Sequence, residues 1–522
     1  MANNSSLTAE WAARFSTLLG DAPADADIAS VEAVELLTPE EMGLADRQTI
    51  AAGTPGITLM QRAGAAVAAM ARRRVPPGST VAILAGPGNN GGDGFVAAAL
   101  LADAGYRVTV ALLANGELSG DAATAANSWV GSIEELHPAA IEGSHLIIDA
   151  LFGAGLDRPI EGVGAETIEA VNASGIPVLS VDLPSGIDGR DGKVLGTAIR
   201  ALETVTFFRR KPGHVLMPGR MHAGAITVVD IGIHPASLQT LAPTSFYNAP
   251  LLWLSQLPRP TLDGHKYDRG HTIVVSGPMT RTGAARLAAR GALRVGAGLV
   301  TVASPREALA VHASHLTAIM LLPMDGSIDL VDILADQRRN AVVIGPASGV
   351  GDMTAALVEA ALGMTPAAVL DADALMSFVD RAERLAELTK GRAEPTVITP
   401  HEGEFARLFP DLLEIPSKLE RAKAAAVKSG AIVVLKGPDT IVAAPDGRLA
   451  IADNAPPDLA TAGTGDVLAG MIGGLLAQGM PAFEAAAAAV WLHGAAAREK
   501  GPGLIAEDLP EALPAVFARL SG

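Results

Sequence analysis

Short apolar runs alternate with helical stretches along most of the chain, and this alternation restarts after a proline-punctuated break. Residues 38–71 read as helices, with Leu59, Met60, Ala63 and Val67 on one face. β-like runs follow at 81–85, 107–113, 145–150, 177–181, 203–208 and 225–231, with helical patterns such as 94–104 and 165–174 between the first four. Strand–helix alternation of this kind predicts a mainly parallel sheet with helices on both faces. The last two runs have no helical pattern between them, so a hairpin-like end to the sheet is expected. Prolines 235, 243, 250, 258 and 260 then interrupt the pattern. Alternation resumes with runs at 272–276, 299–303, 341–344, 368–370, 396–399 and 432–435, followed by alanine-rich helices at 465–478 and 483–500. The expected organisation is an N-terminal extension (1–33), a first α/β domain (34–235), a linker (236–254) and a second α/β domain (255–522). Within the extension, Leu7, Trp11, Phe15 and Leu18 fall at helical spacing and read as a short docking helix.

Composition narrows the function classes. The 522 residues include no cysteine, which excludes disulfides, thiolate nucleophiles, iron–sulfur clusters and cysteine zinc sites. A net charge of −17 argues against a nucleic-acid-binding face, although glycine turns and helix N-termini bind small phosphorylated ligands without net positive charge. No run reaches the ~20 apolar residues that cross a bilayer. Glu10, Arg14 and Asp21 interrupt any signal-peptide pattern, so a cytoplasmic protein without membrane partners is expected.

Gly-Pro-Gly-Asn-Asn-Gly-Gly-Asp-Gly at 86–94 lies between a buried strand and a helix, where glycines let backbone N–H groups approach a ligand. Gly86, Gly88 and Gly91 satisfy G-x-G-x-x-G. A nicotinamide dehydrogenase also needs an acidic residue about 20 positions on, closing the second strand; Ala114-Asn115 stand there instead. Asp149 and Asp182 close two further strands, beside Phe152-Gly153-Ala154-Gly155-Leu156 and Leu183-Pro184-Ser185-Gly186. Carboxyl ends of parallel strands form ligand crevices, so these turns and carboxylates point to one site.

This set of motifs resembles the NAD(P)H-hydrate epimerase family over about residues 34–235, with a Rossmann-like doubly wound fold. The resemblance implies that Asn89, Asn90, Gly91, Gly92 and Asp93, the turn Gly153, Ala154, Gly155, Leu156, Asp157, Arg158 and Pro159, and Asp182 contact a hydrated nicotinamide nucleotide. It implies potassium held by Asn90, Asp149 and Ser185, and either Asp149 or Asp182 as the acid/base group.

In the second half, Ala460-Thr461-Ala462-Gly463-Thr464-Gly465-Asp466 leads directly into a helix. Its glycines and helix N-terminus suit an anion hole for a transferring phosphoryl group, with Asp466 placed to take or orient the acceptor proton. Together with Thr399-Pro400-His401-Glu402-Gly403-Glu404, Leu435-Lys436-Gly437-Pro438-Asp439-Thr440 and Leu370-Asp371-Ala372-Asp373, it resembles the ribokinase-like ADP/ATP-dependent NAD(P)H-hydrate dehydratase family over about residues 255–520. The resemblance implies that Lys436, Gly437, Pro438, Asp439, Thr440 and Gly465 bind the adenine nucleotide. Ala284, Gly351, His401 and Asp466 would then face the hydrate. One turn departs from the family pattern: Gly-Pro-Gly-Leu-Gly is Gly345-Pro346-Ala347-Ser348-Gly349 here. The expected function is bifunctional repair of hydrated NADH and NADPH by a homo-oligomer, with ADP as co-substrate, magnesium on the nucleotide and potassium in the first domain. The alternatives are a vitamin or sugar kinase carrying a non-catalytic Rossmann-like domain, and a scaffold protein that has lost its site.

Overall fold

The computed structural model describes residues 33–113 and 118–521. The helix expected around Leu7–Leu18 and the strand end at Ala114-Asn115 lie outside the described residues. The chain divides into two compact units, 1–243 and 244–522.

The first unit is a sheet of seven parallel strands: β1 (Thr80–Ala85), β2 (Arg107–Leu112), β3 (Ile133–Glu135), β4 (Leu146–Ala150), β5 (Val178–Val181), β6 (Glu203–Phe207) and β7 (Ala225–Val229), ordered 3-2-1-4-5-6-7. Helices cover both faces. Leu59, Met60, Ala63 and Val67 of the helix Gly56–Arg72 are buried against one side, as their spacing predicts. The hairpin expected at the end of the sheet is not formed. β6 and β7 pair in parallel, because a turn at Pro212–His214 and a short helix at Gly219–Ala223 carry the chain back before β7 begins. β3, short and exposed, gave no apolar signal in the sequence.

The order reverses between β1 and β4, so the loops after these two strands open a crevice at the switch point. The glycine run lies there, and only Gly86–Gly88 of it are loop. Gly88 is the N-cap, and Asn89–Asp93 form the first turn of the helix Asn89–Asp103. Backbone proximity explains the glycines: a Cβ on Gly86 would come within 1.7 Å of the Leu151 carbonyl, and one on Gly91 within 1.9 Å of the Gly86 carbonyl.

The second unit is a ten-stranded sheet: β8 (Ser245–Tyr247), β9 (His271–Val275), β10 (Leu299–Ser304), β11 (Met320–Pro323), β12 (Ala341–Ile344), β13 (Ala367–Leu370), β14 (Thr396–Ile398), β15 (Ile432–Leu435), β16 (Thr440–Ala443) and β17 (Leu449–Ala452). The order is 11-10-9-12-13-14-15-16-17-8, parallel except that β16 runs antiparallel to β15 and β17. Residues 236–254, expected as a linker, are built into elements. They form the helix Ala236–Leu241, the strand β8 beside β17, and the helix Pro250–Trp253. Trp253 is fully buried in the second core, and its indole N–H donates to Asn248 Oδ1 at 3.1 Å. Isolated prolines punctuated this segment without preventing it from packing.

Candidate active sites

At the switch point of the first sheet lies a cavity of about 620 Å³. Asn89, Asn90 and Asp93 line it from the start of one helix, and Gly153 to Arg158 from the turn after β4. Asp182 and Lys211 complete its inner wall, and Asp46 faces it from the helix Pro39–Ala51. Gly91 and Gly92 pack beneath this wall and do not line the cavity, nor does Pro159.

Asp182 is the most constrained of these residues. Its φ of +64° is a left-handed conformation that a non-glycine residue adopts only when its surroundings impose it. Its amide donates to the Val205 carbonyl at 2.7 Å. Lys211, 1% exposed, pairs through Nζ with Asp182 Oδ1 and also donates to Thr206 Oγ1 at 2.9 Å. Thr206 in turn donates to Asp182 Oδ1 at 3.0 Å, and the Ala154 amide donates to Oδ2 at 3.2 Å. Burial alone would raise the Asp182 pKa, but the Lys211 charge and these hydrogen bonds hold it below the ordinary value. His214 accepts from the Lys211 amide on Nδ1, so Nε2–H donates to the Asp182 carbonyl at 2.8 Å. Burial and Lys211 depress its pKa to about 4, leaving the imidazole neutral. Neither Lys211 nor His214 is among the site residues that the family resemblance implied. Their type and position near β6 gave no sign that they would fold back under Asp182.

Asp149 does not face the cavity. It is fully buried, accepting from Ser180 Oγ (2.8 Å) and the Ser185 amide (2.9 Å) on Oδ2, and from Ser185 Oγ (2.5 Å) on Oδ1. Burial raises its pKa, partly offset by these donors. As the expected acid/base group it is therefore misplaced: its oxygens are occupied below the floor. As part of a cation cradle its surroundings fit better. Asn90 is 9% exposed, and neither side-chain atom has a hydrogen-bond partner among the described residues. Its Oδ1 lies 3.0 Å from where a Cβ on Gly153 would sit, next to Phe152, whose amide donates to Ser185 Oγ at 2.9 Å. An orphaned buried amide beside carboxylate and hydroxyl oxygens is a donor set a hard monovalent cation accepts.

In the second unit, polar and charged side chains gather at the carboxyl ends of β13, β14 and β15. Lys436, closing β15, donates to Asp371 Oδ1 at 2.8 Å, and Thr399 Oγ1 donates to the same oxygen at 2.7 Å. Glu404 Oε2 lies 4.0 Å from Lys436 Nζ. Lys436–Thr440 is the turn between β15 and antiparallel β16. Thr440 Oγ1 closes it on the Gly437 carbonyl at 2.8 Å, and Lys418 Nζ holds Asp439 Oδ1 at 2.5 Å. Gly463, at φ +87°, is the N-cap of the helix Thr464–Ala477, which places Gly465 and Asp466 in its first turn. Gly465 adjoins the lysine: a Cβ there would lie 3.5 Å from Lys436 Nζ. Burial and the neighbouring Asp371 raise the Asp466 pKa to about 7, against the lowering effect of Lys436. His493 anchors the helix start, its Nε2–H donating to the Thr464 carbonyl at 2.9 Å.

The remaining expected residues sit at different depths. Ala284 is half-buried in the first turn of the helix Thr282–Arg294, and Gly351 caps the helix Asp352–Leu362, its amide donating to Ser377 Oγ at 3.0 Å. His401 is exposed. Its Nδ1 caps the helix Glu402–Leu408 by accepting from the Gly403 and Glu404 amides, which leaves only the far side of the ring for a ligand. In the turn that departs from the family pattern, Ala347 takes the left-handed region at φ +54°, so alanine occupies a conformation that favours glycine. Among the described residues no three His, Asp or Glu side chains are grouped to hold a metal, and no helix is long and apolar enough to cross a membrane.

Fold and sites define a two-unit α/β enzyme, with a doubly wound first sheet and a second sheet whose glycine-capped helix meets a carboxylate. Residues 272–514 match the NAD(P)H-hydrate dehydratase family model, and residues 56–213 match that of the YjeF-related protein N-terminus. The bifunctional NAD(P)H-hydrate repair enzyme Nnr of Moorella thermoacetica is 37% identical, over 93% of this chain and 97% of its own length. That of Salinibacter ruber is 36% identical with the same coverages, 93% and 97%. The chain belongs to the family of bifunctional NAD(P)H-hydrate repair enzymes. Among solved structures, an ADP/ATP-dependent NAD(P)H-hydrate dehydratase from Bacillus subtilis is similar at 29% identity and TM-score 0.47, covering 52% of this chain and 98% of that one.

Proposed function

We propose that this chain repairs hydrated NADH and NADPH in two steps, one in each unit. The first unit interconverts the R and S hydrates in the cavity at the β1/β4 switch point. The helix start at Asn89–Asp93 and the turn 153–159 receive the nucleotide, and Asp182, kept ionised by Lys211, orients the hydrate. Asn90, Asp149 and Ser185 would hold potassium, which when bound supplies positive charge toward the ligand's phosphates.

The second unit dehydrates the S epimer at the expense of a nucleotide, ADP. The turn Lys436–Thr440 and Gly465 hold the nucleotide, while Ala284, Gly351, His401 and Asp466 face the hydrate. Asp466 takes the proton of the ring hydroxyl as the phosphoryl group arrives, and the backbone donors of Gly463–Gly465 stabilise the charge on its oxygens. Phosphate then departs more readily than hydroxide, pushed by the lone pair of the ring nitrogen. Magnesium would neutralise charge on the nucleotide itself. The observation that carries this reading is Asp466, half-buried at a glycine-capped helix start with a pKa near 7, where one carboxylate can both accept and release a proton.

The test supplies purified hydrate epimers with ADP or ATP and follows return of the reduced-ring absorbance. Recovery of cofactor and free phosphate from both epimers is expected. A phosphorylated product that accumulates would mark a small-molecule kinase instead.

A further inference from the structure

Interconverting the hydrates inverts one carbon, C6, which carries the hydroxyl beside the ring nitrogen. A balanced route is loss and return of that hydroxyl. The C6–O bond breaks with its electron pair on oxygen, a proton from the protein turns the leaving group into water, and the N1 lone pair closes a C6=N1 iminium. Water then adds to the opposite face, and the proton it loses passes back to the protein, which ends as it began. The protein must therefore offer the cavity a group that gives and regains a proton near neutrality.

Hydrogen bonding removes most candidates. Asp149 lies below the floor with both oxygens occupied. Asp182 accepts from Lys211, Thr206 and Ala154 and stays ionised. Lys211 is committed to Asp182 and Thr206, and both nitrogens of His214 are used. Asp157 is exposed at the rim, and Asp121 lies against the helix start at Gly56. Two carboxyls of the inner cavity remain, Asp46 and Asp93. Asp93 is 8% exposed, and burial, then the charges of Asp182 and Asp46, raise its pKa well above the ordinary value, so that it sits deeper and is harder to ionise than Asp46. Asp46 is half-buried and more open. Burial raises its pKa to about 6, with Lys211 and Arg47 lowering it and Asp182 raising it.

We propose that Asp46 is a catalytic residue of the epimerase, donating the proton to the departing C6 hydroxyl and recovering it when water returns. This rests on the epimerase reading above, which the wild-type chain tests separately: if it does not interconvert the hydrates, that reading and the role of Asp46 fall together.

The experiment follows epimerisation of the S hydrate in heavy-oxygen water. The wild-type chain should load heavy oxygen at C6 as it epimerises, and its kcat/KM should fall as pH rises through about 6, because the acid form is needed in the free enzyme. Asp46→Asn should lower epimerisation and oxygen exchange together by roughly 10²–10⁴, while calorimetric binding of the hydrate persists and shows the site folded. Asp46→Glu should restore part of the rate and the pH limb. Epimerisation without oxygen exchange would overturn the proposal, as would an Asp46→Asn rate within about threefold of wild type. Loss of exchange in Asp93→Asn but not in Asp46→Asn would overturn it as well.

Discussion

Lys211 and Asp182 form an ion pair in the wall of the first cavity, with the lysine side chain 2% and the carboxylate 17% exposed. The pair fixes a left-handed aspartate at a strand end, with both side chains in the lining of the cavity. Lys211→Met should therefore harm stability as well as catalysis, since it leaves a largely buried charge uncompensated. That costs roughly 3 kcal/mol, which for a unit of this size is about 6–12 °C in melting temperature. The Asp182 contribution is present above the ordinary carboxylate value of 3.8 and is lost as pH falls through its lower folded value. The melting deficit of Lys211→Met should accordingly shrink in acid. An equal deficit at all pH values would mean that lost packing, not charge, is responsible.

Asp466→Asn keeps the shape of the helix start and removes the carboxylate. Nucleotide-dependent dehydration should drop by roughly 10²–10⁴, and nucleotide binding, which uses untouched backbone donors, should survive. Epimerisation belongs to the other unit and should be unchanged. Full dehydratase activity in this variant would remove Asp466 from the chemistry.

Asp371 and Lys436 bracket the proton affinity of Asp466 with opposite signs. The wild-type dehydratase should gain activity as pH rises through about 7, where Asp466 becomes the base. Asp371→Asn removes a negative neighbour and frees the Lys436 ammonium, so this limb should move to lower pH. Lys436→Met should move it up. Profiles of kcat/KM against pH for the two variants decide the matter, and shifts in the same direction would contradict the arrangement.

Acid should destabilise both units through buried histidines. His214 in the first unit and His493 in the second titrate at about 4 when folded, against 6.5 as free groups. Below about 6.5 the unfolded chain binds more protons, so these contributions are complete above that pH and decline until about 4. His493→Gln, which can still donate to the Thr464 carbonyl, should flatten the decline for the second unit in thermal melts between those values.

Ala347→Gly tests the departing turn. Alanine at φ +54° costs roughly 1 kcal/mol or more, whereas glycine adds about 0.4–1 kcal/mol of unfolded-state entropy. The net effect should be a second-unit stability equal to wild type or higher by up to about 1 kcal/mol. A clear loss would show that the methyl group packs usefully.

Two α/β units, and the strand ends where the candidate sites lie, are legible in the sequence. Apolar runs such as 341–344 and 432–435 coincide with their strands, and parallel sheets bury such runs on both faces. Motifs such as the glycine run and Gly463–Asp466 were legible because close backbone approach leaves little choice of residue. Tertiary structure decided what each ionisable group does. Asp149 and Asp182 look alike as strand-end aspartates, yet one is saturated by Ser180 of β5 and Ser185 of the turn after it, and the other is paired with a lysine that returns from beyond β6. Asp46 is an ordinary helix residue in the sequence and becomes notable only where it faces Asp93, Asp182 and Lys211 across one cavity. Proton affinity depends on burial and on neighbours within a few ångströms, and those neighbours come from segments far apart in the chain.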